Sequence, residues 1–360
     1  MASCERNGSN RAIGLAPCPD QRRQQGVRYR DLLFGLLWLP GAAAMSDPIV
    51  IAHRGASGYL PEHTLEAKAL AHGMGAHFLE QDVVLSRDGV PVVLHDIHLE
   101  STTDVAQRFP TRAREDGRYY ALDFDLDELR QLRLHERSYV DQDGNQRAYF
   151  PGRFPLGKGH FRLPTLAEEL AFLDGLDLSR GVSTGRYIEL KAPQWHQRQG
   201  YKLAQAVLDV LQEQGYADRQ NQVFLQCFDD LTLKWLSANT TLPLIQLIGD
   251  NSWGEDGGVD YEAMLTAEGI QRIATYAQGI GPWIPQVIDA NLAPTGLARL
   301  AHEHGLLVHP YTLRTDDLPP GAKTIQAVHQ ALFIDAAVDG LFTDFPDLTV
   351  AFLATLTTAQ

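Results

Sequence analysis

Regular alternation between short apolar runs and helical stretches limits how this chain can fold. The runs are rich in β-branched and other strand-forming residues, at positions 48–52, 78–85, 187–190, 223–226, 244–248, 279–281, 306–309 and 340–343. Between them lie stretches rich in helix formers, at residues 62–73, 201–215, 267–276 and 295–304. Eight alternating units over roughly 300 residues predict a (β/α)8 TIM barrel, an α/β fold. A doubly wound parallel sheet is the alternative.

Two segments interrupt the alternation. The apolar run at residues 90–94 follows the turn signal Asp88-Gly89 too closely for a parallel crossover, so it predicts a hairpin with the second strand. Residues 99–163 are charged, contain Pro and Gly clusters, and hold one helical stretch near residues 125–134. We therefore expect one barrel domain over residues 47–360, with an insertion at about 99–163, after the second strand and its hairpin.

The first 46 residues differ from the rest of the chain. Six arginines outnumber three acids before an apolar run at 32–39, and the small residues of 41–44 follow that run. A basic region, a short apolar region and small residues are typical of an export signal. The run is well below the ~20 residues that span a bilayer, so no stable membrane anchor is expected. Since the basic region is unusually long, the alternative is a translation start at Met45, which would leave a cytoplasmic protein.

Composition excludes some classes of protein. The formal net charge of −14 argues against a nucleic-acid partner, because binding to a phosphate backbone needs clustered Lys and Arg. Any phosphate chemistry must therefore use a local positive site. Cys4, Cys18 and Cys227 have neither metal-ligand spacing nor the pattern of a disulfide framework.

Charged residues lie inside or directly after several predicted strands. The first run ends in His53-Arg54, the second contains Glu80 and Asp82, and the hairpin run ends in His95. Burying ionised groups without partners is costly, so these positions indicate a polar site. Residues two apart on a strand share one face, which in a barrel is the interior near the C-terminal mouth.

A second strand repeats this spacing with Glu189 and Lys191. Together with Glu80 and Asp82, Glu189 completes an all-oxygen set that favours Ca²⁺ or Mg²⁺ over zinc. The alternative is that single carboxylates form structural ion pairs with Arg54 or Lys191.

Histidines and a neighbouring arginine supply further chemistry. His53 and His95 suit general acid and base roles, because imidazole gains or loses a proton near neutral pH. Arg54 offers bidentate donors to a phosphate group. Phe228 and Trp283 follow strand ends, and we expect them to line the mouth and contact substrate, with simple packing as the alternative.

These motifs resemble those of the glycerophosphodiester phosphodiesterases, and the resemblance spans residues 48–355. The matching segments are His53-Arg54-Gly55-Ala56, Pro61-Glu62-His63-Thr64, Glu80-Gln81-Asp82-Val83, Val93-Leu94-His95-Asp96, Glu189-Leu190-Lys191, Gln226-Cys227-Phe228-Asp229 and Phe342-Thr343-Asp344-Phe345-Pro346. The insertion and the segment 309–312 are similar to the bacterial periplasmic branch, which implies a periplasmic location. At His63 the family usually has Asn.

The resemblance implies metal-dependent hydrolysis of a glycerophosphodiester to sn-glycerol 3-phosphate and an alcohol. It also implies a bound divalent cation, Ca²⁺ in this branch rather than Mg²⁺. The roles it assigns are metal ligation by Glu80, Asp82 and Glu189, acid–base catalysis by His53 and His95, and phosphate binding by Arg54 and Lys191. Phospholipase D-like or lyase activity on intact lipids, and non-catalytic binding of phosphodiesters, are the alternatives.

Overall fold

A computed structural model describes residues 47–254 and 258–357. The predicted leader, with Cys4 and Cys18, lies outside the described residues. Among the described helices, none has both the length and the apolar character needed to cross a membrane.

Eight parallel strands form a nearly closed barrel, which confirms the predicted fold. The strands in chain order are β1 Ile49–Ala52, β2 Phe78–Leu85, β3 Pro91–Val93, β4 Ser138–Val140, β5 Gln146–Ala148, β6 Gly185–Leu190, β7 Val223–Cys227, β8 Leu244–Ile248, β9 Gly279–Pro282, β10 Leu307–Val308 and β11 Gly340–Thr343. Hydrogen bonding runs in the order β10-β9-β8-β7-β6-β2-β1-β11. The backbone N–H groups of Asp339 and Phe342 donate to the carbonyls of Val308 and Pro310, both at 3.0 Å, and so join the two ends of the sheet.

The helices cover the outside of the barrel and connect its strands. They are α1 Leu65–Gly73, α2 Val105–Arg108, α3 Leu126–Leu129, α4 Leu166–Arg180, α5 Pro193–Arg198, α6 Leu203–Glu213, α7 Asp230–Ser237, α8 Tyr261–Met264, α9 Ala267–Ile273, α10 Ile284–Val287, α11 Leu297–Glu303, α12 Ile325–His329 and α13 Pro346–Thr357. Helix α1 begins at Leu65 and not at residue 62, because the Thr64 side chain accepts from the Ala67 N–H and caps the helix. Helix α4 was not predicted, although Thr165 and Glu168 form a capping box at its start.

Apolar side chains fill the barrel below the candidate site. One cluster joins five barrel strands through Ile51, Phe78, Tyr187, Ile245 and Phe342. Side chains two residues apart on a strand share a face. The polar side chains two residues after these apolar ones therefore also point towards the barrel axis. The charged residues after β1 and on β2 and β6 therefore lie directly above an apolar layer.

The segment between β3 and α4 builds its own small core. Its apolar residues, including Leu99, Phe124 and Leu132, cluster with Val84 and Val92 of the β2–β3 hairpin. Strand β3 pairs antiparallel with β2, as predicted, and β4 and β5 form a separate two-stranded sheet. The insertion is thus attached to the barrel next to the strand that carries two of the predicted site carboxylates.

Candidate active site

A tight turn after β1 presents two of the predicted site residues. Arg54 adopts a left-handed conformation with φ of 58°, and its backbone N–H donates to Glu80 Oε2 at 2.8 Å. Gly55 follows with φ of 91°, and a Cβ there would lie 2.8 Å from the carbonyl carbon of Ala67. Only glycine fits this position without strain, because of both its conformation and the close approach of α1.

Three buried carboxylates meet on the adjacent strands β2 and β6. Asp82 and Glu189 are partners in the parallel register, and Glu80 lies two residues before Asp82. One oxygen from each carboxylate lies within 4.8 Å of the others. Asp82 Oδ1 is buried without a hydrogen-bond partner in the described part of the chain. An all-oxygen set with an unsatisfied buried oxygen fits a hard divalent cation.

Electrostatics also favour a cation between these groups. Burial raises the pKa of Glu80 well above its usual range, and the charges of Asp82 and Glu189 add to the effect. Burial, followed by the Asp82 charge, raises the pKa of Glu189 to about 8, although Lys191 opposes this shift. Like charges held this close and this deep favour protonation unless a positive ion offsets them.

Two neighbours hold the carboxylates in place, and sequence reasoning assigned neither of them a role. Gln226 Nε2 donates to Glu80 Oε1 at 3.0 Å. His63 Nε2 lies 2.7 Å from Asp82 Oδ2, and the His63 backbone N–H donates to the Arg54 carbonyl at 3.0 Å. The histidine that departs from the family pattern therefore contacts a predicted metal ligand.

His53 is oriented by a carboxylate that follows the neighbouring strand β11. Its Nδ1 lies 2.6 Å from Asp344 Oδ1, just after β11, and its Nε2 lies 3.8 Å from Glu80 Oε2. Arg54 Nε donates to His53 Nε2 at 3.2 Å. Burial, and then the Arg54 charge, lower the pKa of His53 to about 4, despite the opposing effect of Asp344. The free imidazole is therefore neutral at pH 7, with a lone pair on Nε2.

His95 is held in the same manner by the residue that follows it. Its Nδ1 hydrogen-bonds with Asp96 Oδ1, and its Nε2 lies 3.3 Å from Lys191 Nζ. Lys191 also contacts Glu189 Oε1 at 2.6 Å and lies 5.5 Å from the centre of the Phe228 ring. Burial, then the charges of Arg54 and Lys191, lower the pKa of His95 to about 3.

These groups surround one cavity of about 340 Å³ at the mouth of the barrel. All the predicted site residues line it except Asp82, which is buried beneath its floor. Trp253 and Arg314, which were not predicted, also line it, and the Trp253 ring lies edge-on to Trp283 at 5.4 Å. His196 does not line the cavity: it is buried and accepts from the Leu85 N–H at 3.2 Å.

Comparison with known proteins places this site in a family. Residues 53–348 match the model of the glycerophosphoryl diester phosphodiesterase family. The chain is 40% identical to a glycerophosphodiester phosphodiesterase of Haemophilus influenzae over 329 residues, covering 86% of this chain and 90% of that one. It is 35% identical to the enzyme of the same name from Treponema pallidum over 333 residues, covering 87% and 93%.

Solved structures share the fold. A structure from Silicibacter pomeroyi aligns with a TM-score of 0.67 at 24% identity, covering 87% of this chain and 95% of that one. A phosphodiesterase of Oleispira antarctica, in complex with its product sn-glycerol 3-phosphate, aligns with a TM-score of 0.58 at 22% identity, covering 85% and 97%. From the family match and the two close relatives, the chain belongs to the glycerophosphoryl diester phosphodiesterase family.

Proposed function

We propose that the protein hydrolyses glycerophosphodiesters to sn-glycerol 3-phosphate and an alcohol, using metal-assisted acid–base catalysis. One observation carries the proposal: His53 and His95, each hydrogen-bonded to a carboxylate, face a single cavity that also holds Arg54 and Lys191. The names of the relatives support the substrate class. The cavity of about 340 Å³ lies within the size range of small-molecule sites, which suits a small phosphodiester.

His53 is proposed as the general base and His95 as the general acid. Asp344 holds the Nδ1–H of His53, which leaves the lone pair on Nε2. That lone pair accepts from Arg54 Nε, and when Arg54 turns to bind the phosphate it can take a proton from the nucleophile, which is water or the substrate's own glycerol hydroxyl. His95 Nε2 then protonates the departing alkoxide. A bound phosphodiester brings negative charge beside His95 and engages Lys191, and both changes raise the pKa of His95 towards the range that a general acid needs.

Glu80, Asp82 and Glu189 are proposed to hold Ca²⁺. Each carboxylate offers one oxygen to a common point, and such an all-oxygen set fits a hard cation. The resemblance to the bacterial periplasmic branch favours Ca²⁺ over Mg²⁺. When bound, the cation neutralises charge on the phosphoryl oxygens. Arg54 and Lys191 are positioned to bind the remaining phosphate oxygens, with Phe228 and Trp283 against the glycerol end.

The direct test measures release of sn-glycerol 3-phosphate from a panel of glycerophosphodiesters, with added Ca²⁺, with added Mg²⁺ and after exhaustive chelation. Turnover that depends on Ca²⁺ and disappears in His53→Ala supports the proposal. Preferred cleavage of intact phospholipid would instead favour the phospholipase D-like or lyase activity. Binding of glycerophosphocholine without turnover would indicate a non-catalytic binding protein.

We also propose that the protein is exported to the periplasm, on the basis of the basic, apolar and small-residue pattern of residues 1–46. Cell fractionation with N-terminal sequencing of the mature protein tests this. A mature chain that begins after residues 41–44 agrees with export. A cytoplasmic protein that begins at Met45 contradicts it.

A further inference from the structure

Two arginines of the insertion reach the carboxylates that orient the two histidines. Arg137 Nη1 donates to Asp96 Oδ2 at 2.7 Å, on the carboxylate that contacts His95. Arg153 Nη2 donates to Asp344 Oδ2 at 2.8 Å, on the carboxylate that contacts His53. Each catalytic candidate on the barrel is therefore linked through one carboxylate to one arginine of the insertion.

Both arginines are held by further ion pairs, which fix their geometry. Arg137 forms a bidentate pair with Glu62, at 3.0 and 2.7 Å, and Glu62 also accepts from Arg54 Nη1 at 3.0 Å. Arg153 forms a bidentate pair with Asp316, at 2.8 and 3.0 Å. Paired guanidinium groups that are largely buried have little freedom, so they restrict the carboxylates that they contact.

A second cavity, of about 370 Å³, lies between the insertion and the barrel. It shares four lining residues with the first cavity, namely His53, Arg54, His95 and Arg314. Four lining residues come from the insertion, namely Arg137, Tyr149, Phe150 and Arg153. The remaining three are Ser57, Glu62 and Asp344. The histidines therefore stand at the boundary between two open spaces.

In-line displacement at phosphorus places the nucleophile and the leaving alcohol on opposite sides of the phosphoryl group. Two of the predicted metal ligands, Glu80 and Glu189, line the first cavity together with the aromatic residues Phe228 and Trp283, so the glycerol phosphate half of the substrate fits there. The alcohol then points towards the second cavity, past His95. Its volume accommodates a small alcohol headgroup.

We propose that the insertion forms the leaving-alcohol half of the active site. The second cavity receives the alcohol, Arg137 positions His95 through Asp96, and Arg153 positions His53 through Asp344. This inference rests on the proposed diesterase function and assigns Arg137 and Arg153 as positioning residues. As the bond between phosphorus and the alcohol oxygen breaks, its electron pair stays on that oxygen, which takes the proton from His95 Nε2. The oxygen of the nucleophile forms the new bond to phosphorus, and its proton goes to His53 Nε2. Where the nucleophile is the glycerol hydroxyl, the product of this step is a cyclic phosphate, which a water molecule then opens to sn-glycerol 3-phosphate.

The test compares two leaving groups in the holoenzyme. Departure of choline from glycerophosphocholine needs a general acid, whereas p-nitrophenolate leaves from glycerol 3-(p-nitrophenyl phosphate) without one. Arg137→Met should lower kcat on glycerophosphocholine by about 10- to 100-fold and change kcat on the p-nitrophenyl ester less than about threefold. Arg153→Met should lower both rates by similar factors, because both substrates need an activated nucleophile.

The matched control is Arg147→Met, which removes an exposed arginine of the insertion hairpin that pairs with Asp141. It should leave both rates unchanged. Equal losses on the two substrates in Arg137→Met, or no loss on either, would overturn the assignment of Arg137. Misfolding would lower the rates on both substrates together and would also lower the melting temperature of the variant. A loss on one substrate at an unchanged melting temperature is therefore not caused by misfolding.

Narrowing the second cavity tests where the alcohol lies. Tyr149→Trp should raise KM more for glycerophosphoinositol than for glycerophosphoethanolamine, and equal changes would place the alcohol elsewhere. If the wild type turns over no diester, the proposed function itself fails. If the wild type is active and the Arg137 and Tyr149 variants show no substrate selectivity, only the role of the insertion fails.

Discussion

Removing the proposed cation should make the stability of the protein fall as the pH rises from 7 to 9. Burial and the Asp82 charge raise the pKa of Glu189 to about 8, whereas an unfolded glutamate titrates near 4.5. A carboxyl whose pKa is raised by folding binds more protons in the native state. The stability that this carboxyl contributes to the folded state is fully present below pH 4.5, and it is lost as the pH rises through the folded-state pKa of about 8. Glu80 shifts in the same direction.

The size of this effect follows from the shift. One pKa unit corresponds to about 1.4 kcal/mol, so Glu189 alone should remove roughly 1–1.5 kcal/mol of stability between pH 7 and 9 in the metal-free protein. For a domain of about 300 residues this is roughly 2–3 °C in melting temperature. The histidines with lowered pKa values, His53 and His95 among them, oppose this fall weakly. An unfolded imidazole with a pKa near 6.5 is still about a quarter protonated at pH 7, so each adds roughly 0.2 kcal/mol of stability between pH 7 and 9. The comparison of the wild type with Glu189→Gln cancels this contribution.

Calcium should reverse this dependence. A bound cation needs ionised carboxylates, so its affinity rises as the pH rises and the protons leave. Free Ca²⁺ at about 100 times its Kd adds about 2.7 kcal/mol, or roughly 5 °C in a domain of this size. The gap between melting curves in Ca²⁺ and in EGTA should therefore widen from pH 7 to pH 9.

Differential scanning fluorimetry of the wild type and of Glu189→Gln provides the measurement. Because the variant lacks the titrating carboxyl, its melting temperature in EGTA should depend less on pH, and its response to Ca²⁺ should largely disappear. A calcium gap in the wild type that is absent, or that stays constant with pH, would refute the reasoning. Equal pH slopes for wild type and variant in EGTA would do the same.

Three further substitutions test other parts of the structure. Asp344→Asn keeps the size and shape of the side chain but removes the negative charge that favours the Nδ1–H tautomer of His53. The kcat for glycerophosphocholine should fall by about 10²- to 10⁴-fold with KM little changed. A fall of less than tenfold contradicts the role of the pair formed by His53 and Asp344. Gly55→Ala places a Cβ 2.8 Å from a backbone carbon of α1 at φ of 91°, so urea denaturation should show a loss of about 2 kcal/mol or more. Lys68→Met removes the ammonium that lies 2.6 Å from the buried Glu169 carboxylate, to which the Gln81 amide also donates; the free energy of unfolding should fall by about 3–5 kcal/mol, and a loss below 1 kcal/mol would contradict the stabilising role of this ion pair.

The barrel could be predicted from sequence because each of its strands carries a local signal. Buried strands of a parallel sheet are nearly continuous apolar runs, and the hairpin β2–β3 has its own turn residues. Helix α4 was missed although Leu166, Leu170 and Leu173 repeat at helical spacing and a capping box at Thr165 marks its start. Helix boundaries such as Leu65 depend on capping contacts that composition alone does not locate.

The residues proposed from the sequence for the candidate site lie on or just after strands of the barrel and its hairpin. Strand spacing puts Glu80 and Asp82 on one face, and the register with β6 then brings Glu189 beside them. The partners of the histidines depend instead on distant segments. Asp344 lies 291 residues from His53, and Arg153 reaches it from a loop whose path no local pattern specifies. From residue type alone, Asp344 and Arg153 could form a surface ion pair as readily as they could belong to an active site.

An acidic protein can still bind an anionic substrate if charge is balanced locally. The first cavity and its floor hold three cationic side chains and three carboxylates, namely Arg54, Lys191, Arg314, Glu80, Asp82 and Glu189. Their ionised charges cancel, so a divalent cation would leave the cavity with two net positive charges while the chain as a whole stays at −14 before the ion is counted. Outside the cavity, the carboxylates Asp96 and Asp344 contact arginines of the insertion, which limits their repulsion of the phosphate. The arginines of the insertion thus offset the negative charges of Asp96 and Asp344, the carboxylates that contact the histidines. The proposed cation would offset the charges of Glu80, Asp82 and Glu189 in the same way.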